Sequence, residues 1–399
     1  MIYMASTATL NEILKVDYVG PLREEVNMKV IAFARLEKNE DAVSGKNFTI
    51  PLHVGGNEGV GVAAENGLLP TAGNQQYDDC IVPMKHIYGR FNITGQAIAA
   101  SKNSETSFVR GVESEMKGLS IDLRRLCNRM MYGDGSGILT VCVSAQSGTS
   151  ITVASTKNIR PGMTLDILVS STGATTAGVV KSVVASVVNA TAFTLVTSVA
   201  TAASIDGTYA VYISGARNKE MMGLAGIVSA GNPASGFLQG LDATTLPWWR
   251  ANVLNNGGTP RAISEILLLQ ALDATNSNSN GDCTAMLTSY GVRRAYAGLL
   301  LADRVFQNVK KLAGGYESID CNGRPLIIDK DAPTGKIYLL DETQLSIFRL
   351  EDFSWMDKDG AVLSRVPDKD AYEATMLAYL ELGCSARNAQ TLLDDLIEG

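Results

Sequence analysis

Side chains able to move protons or attack a carbonyl are few in this chain and poorly placed for it. The only histidines are His53 and His86. Both fall in a stretch of alternating apolar and polar residues, so a Ser-His-Asp or Cys-His arrangement would have to sit where there is least core. The cysteines, Cys80, Cys127, Cys142, Cys283, Cys321 and Cys384, are scattered without a C-x-x-C pair. That spacing suggests neither a zinc site nor a disulfide framework and leaves reduced, buried thiols. Gly55 to Gly61 reads G-G-N-E-G-V-G, without the strand-then-helix context of a phosphate cradle, and no G-x-x-x-x-G-K-[ST] occurs. The neighbouring carboxylates Asp78-Asp79 and Asp394-Asp395 fall on segments that read as exposed, where solvated faces are expected rather than an acid–base pair. Arg124, Arg125 and Arg129 could touch phosphate, yet they share a helix with Glu113, Glu115 and Asp122, and ion pairs are their expected use. These residues point to no enzyme, no cofactor and no metal.

The element that carries those arginines is the longest helical pattern in the chain, Ser104 to Tyr132. Phe108, Val112, Met116, Leu119, Leu123, Leu126 and Met130 recur every three or four residues, one apolar stripe at the helical period. Ser104 can cap the first turn, Glu105 suits the positive end, and the arginines suit the negative one. At 1.5 Å per residue the rod is ~40 Å long. Gly111 and Gly118 each cost roughly 1 kcal/mol against Ala inside a helix, which suggests close approach of something to the rod. The pattern stops at Gly133-Asp134-Gly135-Ser136-Gly137.

The chain has 399 residues, 46% of them hydrophobic, enough for a large core and for two or three domains. No run of about 18 apolar residues could span a membrane, and the first thirty residues lack a basic-then-apolar signal. A cytoplasmic protein is expected. The formal net charge of −7 argues against a surface that grips nucleic acid by neutralising phosphates.

Before the rod, residues 1–45 read as an arm. Pro21 opens a helix carrying Leu22, Val26, Val30 and Phe33, whose stripe needs a distant partner. Over residues 46–101 the period becomes two. Phe48, Ile50, Leu52 and Val54 alternate on one side, and Ile81 to Thr94 reads as a longer strand pair. Between them Gly55 to Asp79 is rich in Gly, Asn and Gln, with a polar tip. This projection is expected to lie along another molecule, because a lone hairpin is marginal in water.

After the rod, residues 138–215 become rich in Val, Thr, Ser and Ala, with only Lys157, Arg160, Asp166, Lys181 and Asp206 charged. Six β-prone runs, Ile138 to Val143, Ser150 to Ala154, Met163 to Val169, Gly178 to Val188, Ala192 to Val196 and Tyr209 to Ile213, predict a small all-β barrel or sandwich. Beyond it the chain mixes helices and strands. A helix is expected from Thr259-Pro260 to about Ala274 and another from Val292 to Asp303, with strands at Ala285 to Thr288, Pro325 to Ile328 and Ile337 to Leu340. Residues 346–399 are expected to supply strands and a helix.

An arm, a projecting hairpin, a one-sided rod and no active site describe a building block. The order of parts resembles the major capsid proteins of tailed double-stranded DNA bacteriophages. The resemblance rests on Asn47-Phe48-Thr49-Ile50-Pro51-Leu52 with Glu65, Leu69 and Pro70 near the loop tip, and on Met130-Met131-Tyr132-Gly133-Asp134-Gly135-Ser136-Gly137. It continues with Met222-Gly223-Leu224-Ala225-Gly226-Ile227, Trp249 before Ala251-Asn252-Val253, and Asn322-Gly323-Arg324-Pro325-Leu326 leading to Asp329, Pro333 and Gly335-Lys336-Ile337-Tyr338-Leu339.

The resemblance implies an α+β capsid fold. Its parts would be an N-terminal arm (1–45), an extended E-loop (46–101), the spine helix of a P-domain (102–137), an inserted β domain (138–215), an A-domain (216–345) and the return of the P-domain (346–399). It implies a shell subunit whose chief partner is itself, in hexamers and pentamers of an icosahedral head enclosing DNA without sequence-specific contacts. Glu65, Leu69, Pro70, Arg124, Arg125 and Arg129 would lie at assembly interfaces. A separate scaffolding protein and a portal are implied, since the arm is too short for a cleaved scaffolding segment, and a decoration protein fits as a further partner. The expected location is the virion, after assembly in the host cytoplasm. Some relatives join a loop lysine to a neighbour's asparagine, but Lys85, the only lysine between Lys46 and Lys102, lies away from the tip. A nanocompartment shell of the same fold and, through residues 138–215, a β-rich surface adhesin are the alternative readings.

Overall fold

The computed structural model describes residues 31–39, 47–65, 67–96, 105–175, 179–199, 205–279, 281–302, 309–311, 317–357 and 362–399. They divide into two units: Met1–Tyr132 with Ile227–Asn232 and Phe237–Gly399, and Gly133–Gly226 with Pro233–Gly236. The arm helix expected from Pro21 lies outside the described residues, apart from the single turn α1 (Ala32–Arg35).

In the first unit, β1 (Glu37–Asn39) follows that turn and runs parallel to Ser346–Phe348. A ribbon comes next, β2 (Asn47–Gly55) paired antiparallel with β3 (Gln76–Pro83). Its alternation is real: Leu52, Cys80 and Val82 are buried while Thr49, Pro51, His53 and Ile81 face out. The expected longer strand pair over 81–94 is instead two strands with different partners. β3 ends at Pro83, and β4 (Lys85–Thr94) pairs with Ala371–Leu380.

The rod is α2 (Glu105–Met130). Leu123 and Met130 of the predicted stripe are buried, and Met116, Leu119 and Leu126 are half-buried; Phe108, Val112 and the Ser104 cap lie outside the described side chains. Close approach does occur, but through a glycine on the other partner. A Cβ at Gly89 of β4 would stand 2.9 Å from Leu119 Cδ1 and 3.0 Å from Leu123 Cδ1, whereas one at Gly118 would meet nothing within 4 Å. The surroundings of Gly111 lie outside the described residues.

The second unit is built on β5 (Ile138–Val141), β6 (Gly148–Thr152), β7 (Thr164–Val169), β8 (Val179–Asn189), β9 (Ala192–Val199) and β10 (Tyr209–Ile213). They form one sheet in the order β5-β10-β7-β8-β9-β6. A bridge between Cys142 and Val153 joins the ends of that order and closes the sheet on itself. The core is Ile151, Leu165, Ile167, Phe193, Ile205 and Val211. Asp166 is buried outside that core, where it accepts the amides of Lys181 (2.7 Å) and Gly215 (2.8 Å). Lys181 has φ 53°, a left-handed bulge that turns its amide away from the ladder, and the carboxylate supplies the missing acceptor. The unit is wider than residues 138–215, because Asp134 bridges Met222, Asn218 N donates to Ser136 O (2.9 Å) and Ser235 Oγ donates to Asp134 O (2.9 Å).

Back in the first unit are β11 (Asn252–Leu254), α3 (Glu265–Asn278), β12 (Ala285–Thr288), α4 (Tyr290–Ala302), β13 (Val309–Lys311), β14 (Glu317–Cys321), β15 (Arg324–Ile328) and β16 (Ile337–Leu340). β17 (Leu345–Trp355), β18 (Ser364–Arg365), β19 (Ala371–Cys384) and β20 (Thr391–Leu393) complete the chain. Seven strands form a mixed sheet, β11-β20-β16-β12-β15-β14-β13. Against it Leu268, Ala271 and Leu272 of α3 and Val292, Tyr296 and Leu300 of α4 bury their apolar faces with Met286, Leu326, Leu339 and Leu393. The other sheet runs β1-β17-β19-β18, with β4 on the free side of β19.

Three expectations are corrected here. α3 begins at Glu265, capped by Ser264, because Arg261 is already paired with the C-terminal segment, donating to Asp395 O (2.7 Å) and accepting from Ile397 N (2.9 Å). Among their described residues, 346–399 hold strands and one 3-10 turn but no α-helix, and β20 belongs to the seven-stranded sheet. The tail carboxylates are latches rather than a solvated face. Asp394 takes Lys336 Nζ (2.6 Å), Asp395 takes the amides of Asn256 and Gly258, and Glu398 takes Ser289 Oγ and Gly335 N.

Candidate assembly surfaces

The ribbon has a docked base and a bare tip. At the base Phe48 stacks on Phe348 of β17 at 4.3 Å between ring centres, and Ile81 N donates to Gln239 O at 2.9 Å. Beyond β2 the chain is held in shape by itself. Asn57 Oδ1 accepts Gly59 N (2.7 Å), and a Cβ at Gly73 would fall 2.5 Å from that same oxygen and 2.8 Å from Gly59 N, so only glycine fits. Glu65 and Pro70 are exposed. Val60 (87%), Val62 (104%), Leu68 (97%) and Leu69 (86%) are exposed almost completely. The expected polar tip is thus an apolar one. The signal was present as aliphatics at 60, 62, 68 and 69 inside the glycine-rich run, hidden by the run's overall polarity.

On α2, Arg125 pairs with Asp122 at 3.0 Å, Arg124 is exposed and Arg129 is half-buried in the last turn. The structure does not bring these three to Glu65, Leu69 and Pro70; the two groups lie on separate elements.

The root of the arm is fastened by polar groups that the sequence did not single out. Asn128 of α2 is buried; its Nδ2 donates to both oxygens of Asp329 (3.2 Å each) and to Asp331 Oδ2 (2.7 Å). Asp329 Oδ2 also accepts Ala32 N (3.2 Å), and Asn128 Oδ1 accepts Phe33 N (3.4 Å). Two amides of the first turn of α1 are thereby satisfied. Burial raises the pKa of Asp329, and the charge of Asp331 adds to the shift. Burial, followed by the charge of Asp329, raises the Tyr132 hydroxyl well above its usual range. Arg35 then holds Glu342 through two hydrogen bonds, one of 2.9 Å.

Arg387 is wholly buried. Its guanidinium donates to Ile227 O (2.7 Å), Trp249 O (3.1 Å), Ser229 Oγ (2.7 Å) and Gly231 O (2.6 Å). Desolvation lowers its pKa to about 10. The fixed fork of five donors suits three main-chain carbonyls and one hydroxyl on irregular segments, which makes Arg387 the organiser of the segments 227–231 and 249.

All six cysteines are buried, and burial pushes the thiols of Cys80, Cys283 and Cys384 up to about 12. His53 bonds Gln75 (2.6 Å), and His86 packs edge-on against Tyr379. Lys85 opens β4 opposite Leu380. Among the described residues no group of three or more His, Cys, Asp or Glu could hold a metal ion, and no helix is long and apolar enough to cross a membrane. A cleft of about 520 Å³ beside Arg35 and Arg324 has its cations occupied, by Glu342 and Asp282.

No family profile matches the chain, and no curated protein matches it. Solved structures do. The capsid asymmetric unit of cyanophage A-1(L) superposes with a TM-score of 0.58 at 16% identity, over 98% of this chain and 99% of the other. The capsid of an empty GTA particle gives 0.52 at 10% identity, over 99% and 100%. The holo-SrpI encapsulin complex from Synechococcus elongatus PCC 7942 gives 0.50 at 10% identity, over 99% and 97%. The chain has the tailed-phage major capsid fold, an α+β architecture matched along nearly its whole length.

Proposed function

We propose that this chain builds a closed shell: the major capsid protein of a tailed double-stranded DNA phage, assembling with its own copies into hexamers and pentamers of an icosahedral head. The observation that carries this is the ribbon, docked at its base and bare at Val60, Val62, Leu68 and Leu69. Exposed aliphatics gathered at one tip mark an interaction site, and covering them on a neighbouring copy would contribute on the order of 1.5–3 kcal/mol each. Repetition of one such contact by rotation closes a shell. A net charge of −7 suits a wall that encloses DNA without gripping it. A scaffolding protein, a portal and a decoration protein are the further partners of this reading, with assembly in the host cytoplasm and the virion as destination.

Electron microscopy of the purified full chain, alone and co-expressed with its neighbouring structural genes, tests the reading. Closed particles of regular diameter are expected, and soluble single subunits under every condition would sink it. A second reading, a nanocompartment shell, is favoured by the likeness to the encapsulin. Nuclease-protected DNA inside native particles supports the phage head, and a packed enzyme supports the compartment.

A further inference from the structure

Gln239 occupies an unusual place at the ribbon base. It sits in the tight turn closed by Leu241 N donating to Leu238 O (3.0 Å), is buried and has φ 53°, a conformation that side chains other than Gly and Asn adopt at a cost. Trp249 Nε1 holds the turn from behind by donating to Leu238 O (3.3 Å).

The main-chain oxygen of Gln239 accepts Ile81 N (2.9 Å) along the edge of β3 that β2 leaves free. Its carboxamide pairs with the backbone of Cys384 at the end of β19, accepting from Cys384 N (2.8 Å) and donating to Cys384 O (2.9 Å). The partners set that amide orientation. The same group lies 3.2 Å from Cys80 Sγ. One residue therefore acts as a stub of strand spliced between β3 and β19. Across the ribbon's width the other anchor is Phe48 on Phe348, and Phe348 in turn packs where a Cβ at Gly383 would be.

We propose that Gln239 is the positioning residue that fixes the angle at which the ribbon leaves the body, and thereby the geometry of the contact between copies. Cys80 and Val82 are buried at the same base and β3 runs on into β4, so the base is a packed hinge with these two anchors at its edges; loosening one edge lets the ribbon swing about the other. The lever is long. From Thr49, opposite Ile81, to the end of β2 is about 20 Å at ~3.3 Å per residue, so a 10° roll moves that end by about 3–4 Å, more than packed side chains tolerate. The angle then bears on shell curvature, an inference that rests on the shell-subunit reading.

The test uses the full chain. Gln239→Gly keeps the left-handed turn, which glycine adopts freely, and the main-chain carbonyl that accepts Ile81 N, but removes the side chain and with it both bonds to Cys384. Gln239→Glu keeps the length but, ionised, cannot donate to Cys384 O, and serves if the glycine variant fails to fold. On unassembled subunits, the amides of Ile81 and Cys384 are expected to exchange with deuterium at least about tenfold faster in the variant, corresponding to about 1.4 kcal/mol of local opening. The assembled variant is expected to give several particle diameters where the wild type gives one. Unchanged exchange overturns the anchor, and faster exchange with an unchanged diameter distribution overturns its role in curvature. A wild type that forms no shells would instead refute the shell reading, while the exchange comparison still decides whether Gln239 anchors the ribbon.

Discussion

Asn128 donates one amide group to both carboxylate oxygens of Asp329, at 3.2 Å each, and so joins the long helix to the loop after β15 beneath the root of the arm. Replacing Asn128 by Ala leaves a buried carboxylate short of a donor, a loss of about 1–3 kcal/mol. The pH dependence has a definite sign. Burial raises the folded-state pKa of Asp329, so its contribution is fully present below the unfolded value of about 3.9 and is lost as pH rises through the folded pKa. Asn128 offsets part of that loss by bonding the charged form. Urea unfolding of the variant should therefore show a larger deficit at pH 7.5 than at pH 4.5; equal deficits would mean that Asn128 does not favour the charged form of Asp329.

Arg387→Met strips four acceptors of a donor at once, two of them, Ile227 O and Trp249 O, in buried bonds. A loss of roughly 2–6 kcal/mol is expected at about 1–3 kcal/mol for each of the two buried acceptors left unpaired, read as a lower denaturation midpoint or as insoluble protein. Arg387→Lys, with three donors and no fork, should lose less but still be measurably destabilised. A methionine variant within about 0.5 kcal/mol of wild type, the range of ordinary surface changes, would show that the segments around Gly231 and Trp249 hold themselves.

The tip tests assembly apart from folding. Changing Val60, Val62, Leu68 and Leu69 together to Ser should leave the melting temperature of the isolated subunit unaltered, because these side chains touch almost nothing in it. Shell yield by sedimentation should collapse. Shells at normal yield would assign the tip no part in subunit contact.

The closed β sheet of the second unit should melt as a unit. Its core of fourteen buried residues is its own, and entry and exit adjoin, since Asn218 N bonds Ser136 O at 2.9 Å. A chain with residues 138–215 replaced by a short Gly-Ser linker is expected to stay folded, and the excised fragment to show a cooperative transition of modest stability. An unfolded fragment beside an aggregated remainder would show that these strands share a core with the rest of the chain.

The sequence alone determined what periodicity determines. Six β-prone runs in a stretch almost without charge became the six strands of the closed sheet, because period-two burial needs no partner beyond the next strand. The stripe from Met116 to Met130 became the packed face of α2, half-buried at Met116, Leu119 and Leu126 and buried at Leu123 and Met130, for the same local reason. The order of these parts was enough to suggest the capsid fold. What only the tertiary structure decided are contacts between residues far apart in sequence, which leave no periodic trace. Gln239 meets Ile81 and Cys384, Asn128 meets Asp329, and Arg387 reaches Ile227 and Trp249; each is an ordinary polar residue until the fold buries it and forces it to find partners. The ribbon tip escaped for the opposite reason. Its aliphatics are isolated among glycines and asparagines, and that they stand bare rather than fold inward is a property of the whole subunit's surface.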